Sequence, residues 1–246
     1  MNIIILTIFQ RPSVQKKILL SISYKVKNMQ KSLKISVLGG TGYAGSAIAR
    51  EAVKRGHHVT VISRNIPDDT IPGVDYVPLN IDQSGVTFES DDVVVGALSP
   101  RAENAGTLAR NYKKVAAQAA KSGTRLVLVG GFSCLRRAEG SPRMLEDENF
   151  PTDTPPEIIA EARENLDVLN NLISDTSGLD WLFVSPAMEF SAWMPGTDRG
   201  HYRKGGEVAL FDADGKSSIS GIDYARAVLD EIETPVNHRA QIGVAY

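Results

Sequence analysis

A glycine-rich turn between an apolar run and a helix-like segment constrains the fold of this chain more than any other feature. The apolar run 33–38 is typical of a buried parallel strand. The segment 43–55 has the pattern of a helix, and Gly56 is placed to end it. The sequence GGTGYAG lies between them at 39–45. This order of strand, turn and helix predicts a βαβ unit that binds a dinucleotide.

Each glycine of the turn has a predicted role. Gly39 permits the tight turn, and Gly42, without a Cβ atom, lets a pyrophosphate approach the backbone. Gly45 allows the helix and the strand to pack closely. The helix that follows offers free N–H groups and a positive dipole end to the phosphates. The alternative is a glycine-rich turn that binds no ligand.

Arg64 indicates which dinucleotide fits. It lies at the end of the second predicted strand, where NAD sites usually carry Asp or Glu for the ribose hydroxyls. A guanidinium pairs with a 2′-phosphate instead, so NADPH is favoured, with NADH as the alternative cofactor. The alternative interpretation is that Arg64 contacts no cofactor and only begins a solvated loop. Asn80, after the third strand, could meet the adenine edge or form a turn before Asp82.

Alternating strands and helices predict the fold class: α/β, a Rossmann-type doubly wound parallel sheet with helices on both faces. The further strands are predicted at 58–63, 74–79, 92–98, 125–129, 180–184 and 241–246, the last closing the sheet. The further helices are predicted at 105–122, 156–173 and 220–233. Ser220 and Asp223 resemble a capping box at the start of the last helix. Residues 186–218, rich in Gly, Pro and polar residues, are interpreted as an irregular substrate region.

The chain divides by charge into a basic extension and an acidic domain. Residues 1–31 contain six basic residues and no acidic one, so the net charge of −2 becomes about −8 for residues 32–246. Such an acidic domain disfavours nucleic-acid binding, because phosphates repel it. We expect 1–31 to be a non-essential extension, with a targeting or membrane-surface role as the alternative. A protein that begins at Met29 is expected to fold and bind cofactor.

Composition excludes several other classes of protein. No apolar run approaches the ~18 residues that cross a membrane. The single cysteine, Cys134, excludes an internal disulfide framework and fits a reducing cytoplasm, where it is interpreted as a small buried filler. His57 and His58 begin a strand without partner ligands, so no metal site is predicted.

Five segments resemble the atypical short-chain dehydrogenase/reductase group, and more narrowly the bacterial NADH-flavin reductases related to biliverdin reductase B. They are KISVLGGTGYAG at 34–45, DVVVGALSP at 92–100, LVLVGG at 126–131, LDWLFVSPA at 179–187 and DADGKSSIS at 212–220. The resemblance implies that residues after strands four, five and six line the nicotinamide side, including Phe132 and Ala187. Motif and resemblance together predict these cofactor contacts: Gly39, Thr41, Gly42, Tyr43, Ala44, Gly45, Arg64, Asn80, Leu98, Ser99, Gly130, Gly131 and Pro186.

The chain departs from the tyrosine-dependent dehydrogenases in its helix at 156–173. Those enzymes use Tyr-x-x-x-Lys there, and the tyrosine protonates a carbonyl as hydride arrives. This helix contains neither residue type, while Tyr112 lies one helix too early. Ser133, two residues past Gly131, is one candidate catalytic residue, or simply a loop serine. Tyr202, in the sequence HYRK, is the other, or part of a solvated loop.

Three functions are considered, and the first two belong to different classes. The first is an NADPH-dependent oxidoreductase that passes hydride to a flat electron acceptor, such as a flavin or a quinone. The second is a non-catalytic redox sensor like the regulators related to the nitrogen-metabolite repressor NmrA. An isomerase or dehydratase that keeps its cofactor bound is a third. Turnover of NADPH with an added acceptor separates the first from the second.

Overall fold

Eight strands form one sheet in a computed structural model that describes residues 31–83 and 85–246. Nearly all of the predicted extension 1–31 lies outside the described residues. The strands are β1 Lys34–Leu38, β2 His58–Ser63, β3 Val74–Pro78, β4 Val93–Gly96, β5 Arg125–Val129, β6 Trp181–Pro186, β7 Arg203–Lys204 and β8 Ala240–Ala245. Their order is β3-β2-β1-β4-β5-β6-β8-β7. All neighbours pair in parallel except β7 and β8. The predicted fold class is confirmed.

Four helices cover the two faces of this sheet. They are α1 Tyr43–Lys54, α2 Leu108–Ser122, α3 Pro156–Ile173 and α4 Gly221–Glu233. α1 and α4 pack together on one face, with Val37 and Val61 of the sheet beneath them. α2 and α3 pack on the other face over Leu38 and Leu128. Successive residues of a strand therefore pack into the hydrophobic cores on opposite faces of the sheet, because side chains alternate between the faces with a period of two residues.

The start of α2 differs from the predicted position 105. Gly106 has φ +75°, which interrupts a helix there. The carboxylate of Glu164, on α3, accepts hydrogen bonds from the backbone N–H groups of Gly106 at 2.7 Å and Leu108 at 2.9 Å. A side chain distant in sequence thus caps α2, which no local pattern indicates.

The carboxyl-terminal strand also differs from its prediction. β8 pairs with β6, but it does not close the sheet, because β7 lies outside it. β7 comes from the region predicted to be irregular, and its two residues leave only a short edge. The side chain of Ser220 accepts from the Asp223 N–H and caps α4, which is one half of the predicted capping box. The Ser220 N–H donates instead to the Tyr246 hydroxyl at 3.1 Å. Among the described residues, no helix is both long and apolar enough to span a membrane.

Candidate dinucleotide site

The glycine turn joins the carboxyl end of β1 to the first turn of α1. Gly39 has φ +75°, and a Cβ atom there would lie 2.6 Å from the carbonyl oxygen of Ala97. A Cβ atom at Gly45 would lie 2.3 Å from the carbonyl oxygen of Gly39. Neither position can therefore carry a side chain without moving the backbone. The turning role of Gly39 and the packing role of Gly45 match their spacing in the sequence.

Gly42 differs from both, because the space beside it is open. Its φ of −79° and ψ of 175° suit most residues. The nearest atom to an added Cβ would be the carbonyl oxygen of Gly39, at 3.5 Å. Packing within the chain thus gives no reason for a glycine here, whereas a ligand against the backbone would give one.

The amino end of α1 is suited to anions. Gly42 is its N-cap and supplies no side-chain hydrogen bond, and the first turn holds no acidic residue. The first N–H groups of a helix have no partner inside the helix, and they lie at its positive end. The backbone amides of Tyr43, Ala44 and Gly45 are therefore candidates to bind phosphate oxygens.

A cavity of about 260 Å³ lies beside this turn, at the carboxyl ends of β1 to β4. It occupies the place where the strand order reverses, between β1 and β4, which is where open α/β sheets bind ligands. Several of the predicted cofactor residues line it: Gly39, Thr41, Gly42, Arg64, Asn80, Leu98 and Ser99.

Arg64 faces a carboxylate that the sequence did not suggest. Its Nη1 atom donates to Oε2 of Glu103 at 2.5 Å. The two side chains are 39% and 83% exposed. Exposed ion pairs contribute little to stability, so this guanidinium can exchange Glu103 for an anionic ligand at small cost.

Asn80 forms the turn that was one of its two predicted roles. Its Oδ1 atom accepts from the Asp82 N–H at 3.0 Å, and the residue also lines the cavity. Asp82 accepts from Nη2 of Arg110 at 2.6 Å. That hydrogen bond holds the pKa of Asp82 below its ordinary value. The wall after β3 is therefore a hydrogen-bonded turn that carries a charged carboxylate.

Hydrogen bonds to Tyr112 and Asn104 fix the backbone that follows β4. The Leu98 N–H donates to the Tyr112 hydroxyl at 2.8 Å, and the Ser99 carbonyl accepts from Nδ2 of Asn104 at 3.0 Å. Tyr112 is 3% exposed, and burial raises the pKa of its phenol. This tyrosine thus supports the cavity wall as a neutral structural group.

The predicted contacts after β5 and β6 lie at the same sheet edge but outside the 260 Å³ cavity. A Cβ atom at Gly130 would lie 2.1 Å from the Phe183 ring. A Cβ atom at Gly131 would lie 3.4 Å from Cβ of Asn165, on α3. Pro186 is buried and pairs with Val244. Their contact with a nicotinamide ring stays a prediction.

Ser133 lies half-buried in the 3-10 helix Phe132–Cys134, directly after β5. It is therefore at the edge where the sequence placed it. Its neighbour Cys134 is fully buried, and burial raises the pKa of this thiol to about 12. Since the thiolate is the reactive form, Cys134 acts as a buried filler.

Tyr202 is turned toward α4. Its hydroxyl donates to Oδ2 of Asp230. Burial and then this hydrogen bond raise the pKa of the phenol. Arg55, the C-cap residue of α1, donates to the other oxygen of Asp230 at 2.6 Å. The hydroxyl belongs to a network that ties α1 to α4, and this geometry disfavours the catalytic role predicted for Tyr202.

Tyr43 connects the glycine turn to the loop after β6. Its hydroxyl accepts from the Gly221 N–H at 2.7 Å and donates to the Pro195 carbonyl at 2.7 Å. Its ring contacts Phe190 edge-on, with centroids 5.0 Å apart. The side chain of this predicted cofactor residue thus anchors the loop after β6, in the region predicted to bind substrate, which leaves its backbone N–H for a ligand.

Asp223 anchors another part of that region. Its buried carboxylate accepts from the N–H groups of Arg199 at 2.8 Å and Gly200 at 3.2 Å, and from the Tyr246 hydroxyl at 2.6 Å. Burial acts to raise the pKa of Asp223. The hydrogen bonds from Tyr246, Arg199 and Arg226 outweigh burial and hold the pKa below its ordinary value. The loop 197–200 is therefore tied to a charged side chain.

Three polar residues of the site were missed by sequence reasoning: Glu103, Asn104 and Asn111. None belongs to a spaced motif. Asn111 nevertheless had a signal, because it lies on the face of the predicted helix that carries the apolar residues Leu108 and Val115. It is 4% exposed, and its Oδ1 atom has no hydrogen-bond partner among the described residues.

These residues fit a dinucleotide. Open backbone at Gly42 and an uncapped helix suit a pyrophosphate, while Arg64 suits a further phosphate. The unpartnered Oδ1 atom of Asn111 offers an acceptor to a ligand donor.

Comparison with known proteins agrees with this fit. The family profile described as NAD(P)H-binding matches residues 39–235. The Bacillus subtilis (strain 168) protein named "Uncharacterized protein YwnB" is 36% identical over 209 residues, which cover 82% of this chain and 93% of that protein. A crystal structure from Streptococcus pneumoniae TIGR4 named "putative NADH-flavin reductase" is 30% identical with a TM-score of 0.75. That match covers 87% of this chain and 99% of the other.

A second solved structure has the same architecture. It is a Burkholderia pseudomallei protein named "Putative exported protein", 34% identical with a TM-score of 0.74, covering 87% of this chain and 100% of that one. The family profile begins at the glycine turn and ends just after α4, so it spans the site and most of the sheet. The chain therefore belongs to the NAD(P)H-binding family of proteins similar to the atypical short-chain dehydrogenases.

Proposed function

We propose that this protein is an NADPH-dependent oxidoreductase that reduces a flat conjugated acceptor, such as a flavin or a quinone. The observation that carries the proposal is the identity of the α3 residue beside Gly131. It is Asn165, on a helix that has neither Tyr nor Lys. When bound, NADPH supplies a hydride, and the protein positions the two rings.

Two carboxylates of α3, those of Glu161 and Glu164, are engaged elsewhere. Glu161 accepts from Nε of Arg101 at 2.7 Å, and Glu164 caps the start of α2. Neither of these two carboxylates is thus free to act as a proton donor, and the helix has no Tyr or Lys. A carbonyl oxygen that receives hydride develops negative charge and needs a donor close by. A flavin or quinone spreads that charge over its ring system and can take its proton from water.

Apolar side chains after β5 and β6, together with one in the loop after β7, support a flat acceptor. Phe132, after β5, contacts Phe211 edge-on with centroids 6.3 Å apart. Phe211 is 38% exposed, and Met188, just after β6, is 55% exposed. Aromatic and thioether groups are suited to the faces and edges of conjugated rings. The name of the Streptococcus pneumoniae relative supports the same acceptor class.

The acceptor preference provides the test. We expect NADPH oxidation with flavin mononucleotide or a quinone to be faster than with small aldehydes and ketones under identical conditions. Ser133→Ala and Tyr202→Phe should each lower flavin turnover by less than about tenfold, since loss of a true general acid costs about 100-fold or more. Stopped-flow or steady-state absorbance of NADPH measures both.

Two results would contradict this proposal. One is efficient carbonyl reduction that collapses in either variant, which would establish a protein acid. The other is tight NADPH binding without turnover of any acceptor. That second result would favour the NmrA-type redox sensor, whose site needs no donor either.

Selectivity for NADPH over NADH is proposed to depend on Arg64. Arg64→Asp replaces attraction to the 2′-phosphate with repulsion, so NADPH affinity should fall about 10- to 150-fold, as for loss of a charged hydrogen bond. NADH affinity should change little. Isothermal titration with each cofactor measures the two constants.

Arg50→Asp serves as the matched control, because Arg50 is an exposed arginine on α1 and its change gives the same net charge. Glu103→Gln should raise NADPH affinity slightly by removing the carboxylate that competes for Arg64. Equal weakening of both cofactors by Arg64→Asp would rule out contact with a 2′-phosphate.

A further inference from the structure

Asn111 is a buried amide that the folded chain leaves half satisfied. It lies on α2, is 4% exposed and lines the 260 Å³ cavity. Its Oδ1 atom is without a hydrogen-bond partner in the described part of the chain. Buried carbonyl oxygens in native proteins are almost always paired, so an unpaired one calls for an explanation. Its place in the cavity wall points to a ligand.

A series of hydrogen bonds orients this amide. The hydroxyl of Thr107 donates to the Asn104 carbonyl at 2.8 Å. Thr107 Oγ1 in turn accepts from Nδ2 of Asn111 at 3.2 Å. With Nδ2 engaged by Thr107, Oδ1 is the end of the amide that the described residues leave without a partner.

The same series of hydrogen bonds connects Asn111 to the wall of the cavity. Nδ2 of Asn104 donates to the Ser99 carbonyl at 3.0 Å, and Ser99 follows β4. Apolar side chains share the cavity lining with Asn111, among them Ile62, Ile81 and Leu98. A flat base between apolar side chains, with one polar atom at its edge, fits such a wall.

We infer that Oδ1 of Asn111 accepts a hydrogen bond from the adenosine half of the dinucleotide. This inference rests on the proposed cofactor site, since the cavity lies between the phosphate turn and Arg64. An amide oxygen is only an acceptor, so its partner is an N–H or O–H group. The adenosine half provides two such groups, the exocyclic amine of the base and a ribose hydroxyl.

Asn111→Leu in the full chain tests the inference. Leucine has similar size and no polar atom, so it removes the acceptor and the burial penalty together. The affinity for NADPH, measured by isothermal titration, should fall about 2- to 13-fold, as for loss of one neutral hydrogen bond. The melting temperature of the unliganded protein should stay the same or rise. A purely structural asparagine would give the opposite pattern, with lower melting temperature and unchanged affinity.

Gln118→Leu is the matched control. It makes the same change of amide to leucine two turns later on α2, at a residue that does not line the cavity. NADPH affinity should not change in this variant. Asn111→Ala adds no bulk and repeats the test if the leucine variant fails to fold, with the same loss of affinity expected.

Nicotinamide hypoxanthine dinucleotide phosphate distinguishes the two donors, because it carries a carbonyl in place of the adenine amine. If the amine is the partner, wild type should prefer NADPH over this analogue, and Asn111→Leu should lose most of that preference. If a ribose hydroxyl is the partner, the leucine variant should weaken both cofactors equally.

Wild-type affinity in Asn111→Leu and Asn111→Ala would overturn the inference while leaving the proposed function intact. Failure of the wild-type protein to bind NADPH or NADH would overturn both, and the wild-type titration alone reports that outcome.

Discussion

Gly42→Val should weaken NADPH binding by at least about 100-fold while the protein stays folded, since it displaces a pyrophosphate from two or more charge-assisted hydrogen bonds. The backbone at Gly42 lies in an extended region that valine adopts readily. An added Cβ would contact only the Gly39 carbonyl oxygen, at an ordinary 3.5 Å. The branched side chain would instead fill the space beside the helix amides. Isothermal titration gives the affinity, and circular dichroism and thermal melting report the fold.

Gly206→Val is the matched control for this change. Gly206 is exposed, and an added Cβ there would meet nothing within 4 Å. It lies away from the glycine turn, so NADPH affinity should remain at the wild-type value. Gly45→Val should behave differently from both, because its Cβ would lie 2.3 Å from backbone and the protein should lose stability. Unchanged affinity in folded Gly42→Val would refute the assignment of the phosphate turn.

Asp223→Ala should lower the free energy of unfolding by about 3–5 kcal/mol, the usual cost of removing one partner of a buried ion pair. The carboxylate is fully buried and ion-paired with Arg226 at 2.5 Å. Its loss would leave the N–H groups of Arg199 and Gly200 without their acceptor. We therefore expect the loop 197–200 to loosen together with the start of α4. Chemical denaturation measures the change, and hydrogen exchange of the two amides locates it.

The pH dependence of this effect follows from the lowered pKa of Asp223. A group with a lowered folded-state pKa stabilises the protein above its unfolded pKa, and the contribution disappears as the pH falls through the folded value. The difference between wild type and variant should thus be constant near neutral pH and shrink only below about pH 4. Asp214→Ala, an exposed change in a nearby turn, should stay within about 0.5 kcal/mol of wild type. A loss below about 1 kcal/mol in Asp223→Ala would mean that the network is not a strong anchor.

The two variants act on opposite sides of the proposed reaction. Gly42 concerns the phosphates of the cofactor, whereas Asp223 concerns the loop expected to lie on the acceptor side. Tyr43 joins these sides, because its backbone belongs to the first turn of α1 and its hydroxyl contacts Pro195 and Gly221. Measuring cofactor affinity in Asp223→Ala would show whether loosening one side reaches the other.

The sequence by itself determined the repeating framework and the phosphate turn. β2, β5 and α3 have the predicted bounds, because each is a strong apolar pattern that ends at glycine, proline or polar residues. The roles of Gly39 and Gly45 were also predictable, since backbone sterics fix them within a few residues. Such features depend on neighbours in sequence, so local spacing is enough to indicate them.

The tertiary structure alone decided which side chains meet across the site. Glu164, on α3, caps α2 and so sets where that helix begins. Glu103 accepts a hydrogen bond from Arg64, and Asp230 accepts one from the hydroxyl of Tyr202. β7 is the edge strand of the sheet, a position that the sequence predicted for 241–246. It is only two residues long, too short to show a strand pattern in the sequence, and it forms because it pairs with β8. Asn111 is polar on a helix face that is otherwise apolar, and only the folded structure shows that it lines the cavity with its oxygen unpartnered among the described residues. Each contact joins residues distant in sequence, and it forms because folding brings their elements together.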